Sequence, residues 1–211
     1  METTRPYKSD LRAEQAAGTR LRILDATASL LEIYGGLTNV PNRLIAETAG
    51  ITEMTVYRHF ANREALEESL WRHVNDRHGI RQGFPTLAAE ISERLPGLFA
   101  SFDAAPGHIT STITTPVGRE LRASQDEGRR AAFTAIVTDV APELDPAAQA
   151  QAAAILQLLY SAHTWLSLRE QWDLTGDDAA AAAVWAVQTL VKDLHNRAAG
   201  PLTSNTEETD R

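Results

Sequence analysis

With 211 residues, no cysteine and a formal net charge of −8, the chain is long enough to bury a real core as one or two domains. It has neither disulfides nor thiolate metal sites. No run of about 18 apolar residues occurs, which argues against a membrane-spanning helix, and the polar start METTRPYKSDLRAEQ lacks the apolar stretch of a secretory signal, so a cytoplasmic protein is expected. The acid is unevenly spread: residues 1–80 hold ten Lys+Arg against eleven Asp+Glu, a net of −1, and residues 81–211 hold ten against seventeen, a net of −7. Phosphate contacts need a local basic footprint and not a basic protein, so the N-terminal part stays open to nucleic acid.

Residues 1–18 carry Arg5, Lys8 and Arg12 among polar residues, with Pro6 and Gly18 as breakers. They are expected to form a flexible arm, either solvated or lying along a nucleic acid. Residues 19–34 place Leu21, Leu24, Ala28 and Leu31 on one helical stripe, widened by Ile23, Leu30 and Tyr34 and ended by Gly35-Gly36. From about 41 to 48 a short helix stacks Leu44 and Thr48 on one face, while Ala46 and Ala49 are small enough for a close helix crossing. Gly50 supplies the left-handed residue that ends a helix, Ile51 drops into the core, and Thr52 caps a third helix that closes on Tyr57, His59 and Phe60. Two short helices joined by a glycine turn make a helix-turn-helix, whose second helix suits the major groove of DNA. Asn62 can cap a longer helix to about 77, with Leu66, Leu70 and Val74 at four-residue steps.

Gly79, Gly83 and Pro85 mark the next boundary. Residues 86–102 carry Leu87, Ile91, Leu95, Leu98 and Phe102, with Pro96-Gly97 as a kink or break and Pro106-Gly107 as the end. The threonine-rich HITSTITTP has no period that assigns it. Helix resumes at 117–124 and 127–140, and Pro146 suits the start of another. The last two helices, about 146–173 and 177–198, are apolar over most of their circumference and must be covered on two sides. One side is covered within the chain and the other calls for a second subunit. That homodimer contact is assigned to Ile155, Leu159, Leu166, Ala181, Val184, Trp185 and Val191, with the alanine run 179–183 allowing close approach. Residues 200–211 are polar and acidic, an expected disordered tail.

The motifs RILDATASLL, LIAETAGIT and TVYRHFANREAL, spread from Arg22 to about Val74, resemble the TetR/AcrR family of one-component transcriptional regulators. SAHTWLSLREQWDLTGDDAAAAAVWAVQTL is similar to the last two helices of some members, which form a four-helix bundle with a second subunit. The resemblance implies an all-α fold of about nine helices. It divides into an arm (1–18), a helix-turn-helix domain (19–64), a helical effector-binding and dimerisation domain (65–199) and a tail (200–211). It also implies that the divergent region 85–145 forms an effector pocket. One departure is local: where members usually open the second helix with Thr or Ser, this chain has Pro41 and Asn42, with Thr38 and Asn39 upstream. Proline is tolerated in a first helical turn, which leaves the source of the cap open.

For reading DNA, Thr52, Glu53, Met54 and Thr55 lie in the first turn of the recognition helix. Glu53 can accept from a cytosine amino group, and Met54 or Thr55 can contact a thymine methyl. Glu53 equally suits the positive end of a helix. Arg58 can reach a base edge or a phosphate, and Arg43 stands where some family members place a guanine-reading arginine. Tyr57, His59 and Arg63 are assigned to the phosphate backbone, which sets register without reading sequence. Phe99, Phe102, Phe133, Tyr160, His163 and Trp165 are candidates to line a cavity for a small, largely apolar ligand, or else to pack the core. Arg119, Arg122, Arg129 and Arg130 either meet an anionic ligand or form a solvated face.

The resulting expectation is a homodimeric regulator, repressing from a near-palindromic double-stranded DNA operator and released by a small-molecule effector. It needs no cofactor, no metal and no membrane. A helical interaction module that does not read DNA is the alternative. An enzyme is the remaining class, disfavoured because the sequence has no HExxH, no Gly-rich phosphate loop and no nucleophile in a recognisable setting.

Overall fold

The computed structural model describes residues 6–37, 40–78, 83–197 and 200–202. Among these residues every regular element is an α-helix: α1 (Pro6–Tyr34), α2 (Asn42–Ala49), α3 (Glu53–His59), α4 (Arg63–Arg77), α5 (Ala88–Asp103), α6 (Pro106–Thr114), α7 (Pro116–Ala123), α8 (Asp126–Val140), α9 (Pro146–Leu159), α10 (Ala162–Trp172) and α11 (Gly176–His195). The all-α class expected from the periodicity is observed. None of these helices is long and apolar enough to cross a membrane. The chain divides into two compact units, residues 1–79 with 105–121, and residues 80–104 with 122–211.

The first unit is built on Ile23, Leu24, Leu30 and Leu31 of α1, which meet Ile45 and Ala46 of α2, Val56 of α3 and Leu66, Leu70 and Val74 of α4. Thr27 lies on the same buried face, its hydroxyl satisfied by the Ile23 carbonyl at 2.7 Å. Leu21 and Tyr34, placed on the apolar stripe from sequence, are instead half exposed. The unit does not end near residue 64. Helix α4 buries its whole inner face in this core, and the chain returns to the unit at Ala105, a member of the same core. The carboxylate of Glu32, near the end of α1, accepts the N–H groups of Gly107 (2.8 Å) and His108 (3.0 Å). It thereby caps the positive end of α6. A Cβ on Gly107 would stand 2.9 Å from the Leu31 carbonyl, so only glycine allows α6 this close to α1.

The expected arm differs as well. Residues 1–5, including Arg5, lie outside the described residues, and from Pro6 onward the chain is already helical. Residues 11–18 are exposed along all of their length, so nothing packs this extension. DLRAEQAA is made of good helix formers and carries the helix by propensity, which the roughly 1 kcal/mol disadvantage of Gly18 does not reverse.

In the second unit α11 lies along α5 and α8 along α9, around Ile91, Leu95, Phe99, Phe133, Ile136, Val137, Leu156, Trp165 and Val187. The eleven helices exceed the nine expected for two local reasons. The threonine-rich stretch forms α6, ahead of the helix expected at 117–124, with the hydroxyls of Thr112, Thr114 and Thr115 bonded to carbonyls four residues back. Pro106 opens α6 where an end had been expected. The span 146–173 is interrupted at Tyr160-Ser161. There Ser161 caps α10 by accepting from the Thr164 N–H, and its hydroxyl donates to the carbonyl of Leu158 at 2.6 Å. Helix α5 runs through Pro96, which sits on an exposed position. Of the expected tail, residues 203–211 lie outside the described residues.

Candidate nucleic-acid interface

Helix α2 ends as its sequence requires. Gly50 adopts φ 66° and ψ 40°, and its N–H donates to the Glu47 carbonyl (3.1 Å) while that of Ile51 donates to Ala46 (3.0 Å). This pair of bonds is a Schellman closure. Thr52 then takes an extended conformation and its hydroxyl accepts the Thr55 N–H at 3.3 Å, opening α3. The Thr52 and Thr55 hydroxyls are themselves 2.9 Å apart. Helix α2 opens without a side-chain cap: Leu44 and Ile45 donate to the Pro41 carbonyl, at 3.0 and 3.3 Å. Thr38 and Asn39 lie outside the described residues.

Val56 and Phe60 face the core, which turns Glu53, Met54, Tyr57 and Arg58 outward as one stripe. Met54 is 77% and Tyr57 50% exposed, high values for large apolar side chains in a small domain. Thr52 and, on α2, Arg43 are exposed as well, and Thr55 and His59 are half-buried. Among the described residues neither Arg43 nor Arg58 has an ion-pair partner, so both guanidinium groups are available to phosphate or base. Burial, then Arg58 and Arg20, hold the His59 imidazolium below its ordinary pKa. His59 is therefore neutral at neutral pH, with one ring N–H to donate.

Arg63 is differently employed. Its guanidinium donates to the Leu37 carbonyl (2.6 Å), to Asn42 Oδ1 (3.2 Å) and to Glu67 Oε1 (3.2 Å). These bonds brace the segment entering α2, and they occupy the group that had been assigned to phosphate. Arg20 of α1 was not singled out from sequence at all. It donates to the His59 carbonyl (3.0 Å) and to the Ser69 hydroxyl (2.7 Å), and it stacks 4.2 Å over the Phe60 ring. A cation thus holds the negative end of α3 against α1 and α4. The signal was present in sequence, since Arg20 precedes Ile23, Leu24 and Thr27 on the inward stripe of α1.

The candidate ligand residues fall into two sets. Phe99, Phe102 and Trp165 are buried together, with ring centroids 6.1 and 5.8 Å apart, and the Trp165 indole N–H donates to Asp103 at 3.0 Å. This set is core packing. Phe133 is also buried but pairs with half-buried Tyr160 (6.0 Å), and His163 is more exposed. The seven residues assigned to a dimer contact all remain wholly or partly exposed. Ile155 is 48% and Trp185 71% open, and Trp172 and Leu158 are exposed as well. The alanine run is split: Ala179, Ala180 and Ala183 are buried within the unit, whereas Ala181 is exposed.

Residues 23–70 match the model of the bacterial regulatory proteins of the TetR family. A comparison with curated proteins returned no match. A transcriptional regulator from Rhodococcus sp. Rha1 has a similar structure, with a TM-score of 0.57 over 85% of this chain and 97% of that one at 15% identity. At that identity the likeness speaks for the fold. The matched segment contains α2, the Gly50 turn, α3 and the first half of α4, so this part of the chain is a helix-turn-helix domain similar to that of the TetR family of bacterial regulatory proteins.

Proposed function

We propose that the protein represses transcription as a homodimer on a near-palindromic duplex operator and is released by a small effector bound in the second unit. The outward stripe Glu53, Met54, Tyr57 and Arg58, with exposed Arg43 of α2, carries this reading. Arg43 and Glu53 are the candidates for base edges, Met54 and the Thr55 methyl for thymine methyls, and Tyr57, Arg58, His59 and Thr52 for the backbone. The large exposed side chains on α9, α10 and α11 support a twofold partner. Such a dimer reads two half-sites spaced by one helical turn or a multiple of it.

An effector acts by binding the non-operator conformation more tightly, and it shifts the equilibrium by that difference alone. The covalent chain offers the route, because it crosses between the two units three times. Selection of bound fragments from genomic DNA by the purified protein tests the proposal. One enriched near-palindrome, bound by two protomers with salt-sensitive affinity, is the expected result. Absence of any enriched sequence would favour a helical module that does not read DNA.

A further inference from the structure

We infer that the second unit contains a carboxylate-binding site at Arg122 and His163, and that the effector is a small monoacid with an apolar body. This rests on reading that unit as effector-binding, and it adds the chemical class of the ligand. Arg122, near the end of α7, is half-buried. Its Nη1 lies 3.4 Å and 3.5 Å from the two ring nitrogens of His163, in the first turn of α10. Those contacts are long and shared, and they place one proton-binding group against another. Among the described residues no carboxylate stands within ion-pair distance of Arg122. Asp126, the acid whose charge Arg122 feels, is already engaged by Arg129.

Two effects agree that the position is electropositive, and the neighbouring guanidinium of Arg129 is shielded from solvent. Arg122 loses proton affinity to burial and then to Arg129. His163 loses it to burial, then to Arg122 and Arg129. Arg129 is itself largely buried, with a side chain only 14% exposed. A half-buried cation whose nearest acid is already paired with another arginine is unfavourable, and a carboxylate relieves it by accepting the planar fork of Arg122 in a bidentate pair. Neutral His163 offers a ring N–H as a further donor.

The charges also set the valence. Arg122 and Arg129 against Asp126 leave one positive charge, which matches a monoanion and not a polyphosphate. Aromatic groups supply the apolar side. Arg129 stacks 5.6 Å from the Phe84 ring, and Phe133, one turn further along α8, faces Tyr160. Burial raises the pKa of Tyr160, so its hydroxyl stays a neutral donor.

The test titrates the full-length protein calorimetrically with benzoate and octanoate, and with benzamide and octanamide as neutral counterparts. Saturable binding of an acid at least about tenfold tighter than its amide is expected, the scale of one charge-assisted hydrogen bond. Arg122→Met should bring the acid down to the amide, and Arg122→Lys, which keeps the charge but not the fork, should fall between. Equal binding of acid and amide, retention of acid affinity in Arg122→Met, or no acid binding at millimolar concentration would overturn the site. The acid-against-amide comparison on the unaltered protein needs no variant to fold. Acid binding is read without DNA, so failure to select an operator would sink the regulator reading separately. Acid binding that leaves operator affinity unchanged would overturn the effector role.

Discussion

Acidification should unlock the first unit through His108. This residue lies on α6, almost fully buried, with Nε2 3.2 Å from Asn75 Oδ1 of α4. When protonated at Nε2 the neutral ring donates to that oxygen, and both polar groups are satisfied. Burial, with a smaller contribution from His78, lowers its pKa from 6.5 to about 4. A base with a depressed folded pKa gives stability that is complete above the unfolded value. That stability is lost as pH falls toward the folded value, because only the unfolded chain takes up the proton. Applied to 6.5 and about 4, linkage gives a loss of roughly 2 kcal/mol between pH 7 and pH 5. His59 and His163 are shifted in the same direction, so the contribution of His108 must be isolated. Urea unfolding of the wild type and of His108→Gln, which keeps an amide donor for Asn75, does this across that pH range. The variant should lose most of the slope. A wild-type stability that is flat from pH 7 to pH 5, or a variant with the same slope, would refute the reasoning.

Other expectations concern the interface and its supports. Arg20→Met removes two hydrogen bonds and a ring contact from a partly exposed cation, and should destabilise the first unit by about 2 kcal/mol, read as a lowered urea midpoint. The same variant should weaken operator binding, since the end of α3 loses its clamp. Tyr57→Ala should weaken binding to all duplexes alike. Arg43→Ala should cost about 1–3 kcal/mol and relax discrimination at one base pair, as measured by anisotropy on operator variants; unchanged binding by both would discard these assignments. Trp185→Asp should yield a monomer in sedimentation and lower operator affinity about a hundredfold or more by loss of the linked second half-site. A variant that still sediments as a dimer would move the partner contact away from α11.

The helix-turn-helix was legible because its punctuation is local. Gly50, Thr52 and Asn62 act on backbone groups within five residues of themselves, and each does in the structure what its residue type dictates. The outward stripe of α3 follows from the same reading, because Val56 and Phe60 leave only one other face. The interruption between α9 and α10 was missed because the alanine- and leucine-rich sequence keeps its period straight across it. The hydroxyls of Ser161 and Thr164, both donating to the Leu158 carbonyl, hold the break open. The threonine-rich α6 was illegible for the opposite reason, since threonine favours helix weakly and a carboxylate 75 residues away caps it.

By itself, then, the chain determined its helical class, the turn between α2 and α3 and the outward stripe of α3, all consequences of short-range capping and of the 3.6-residue period. Tertiary structure alone decided that α4, α6 and the start of α7 join the first unit, that Arg63 braces the segment entering α2 and that Arg20 braces the recognition helix. It also decided that Arg122 meets the His163 imidazole. The partners of Arg20 lie 39 and 49 residues away, and that of Arg122 lies 41. At such separations a guanidinium that braces and one that stays free look alike in sequence, because only the folded chain determines which oxygen, if any, comes within reach.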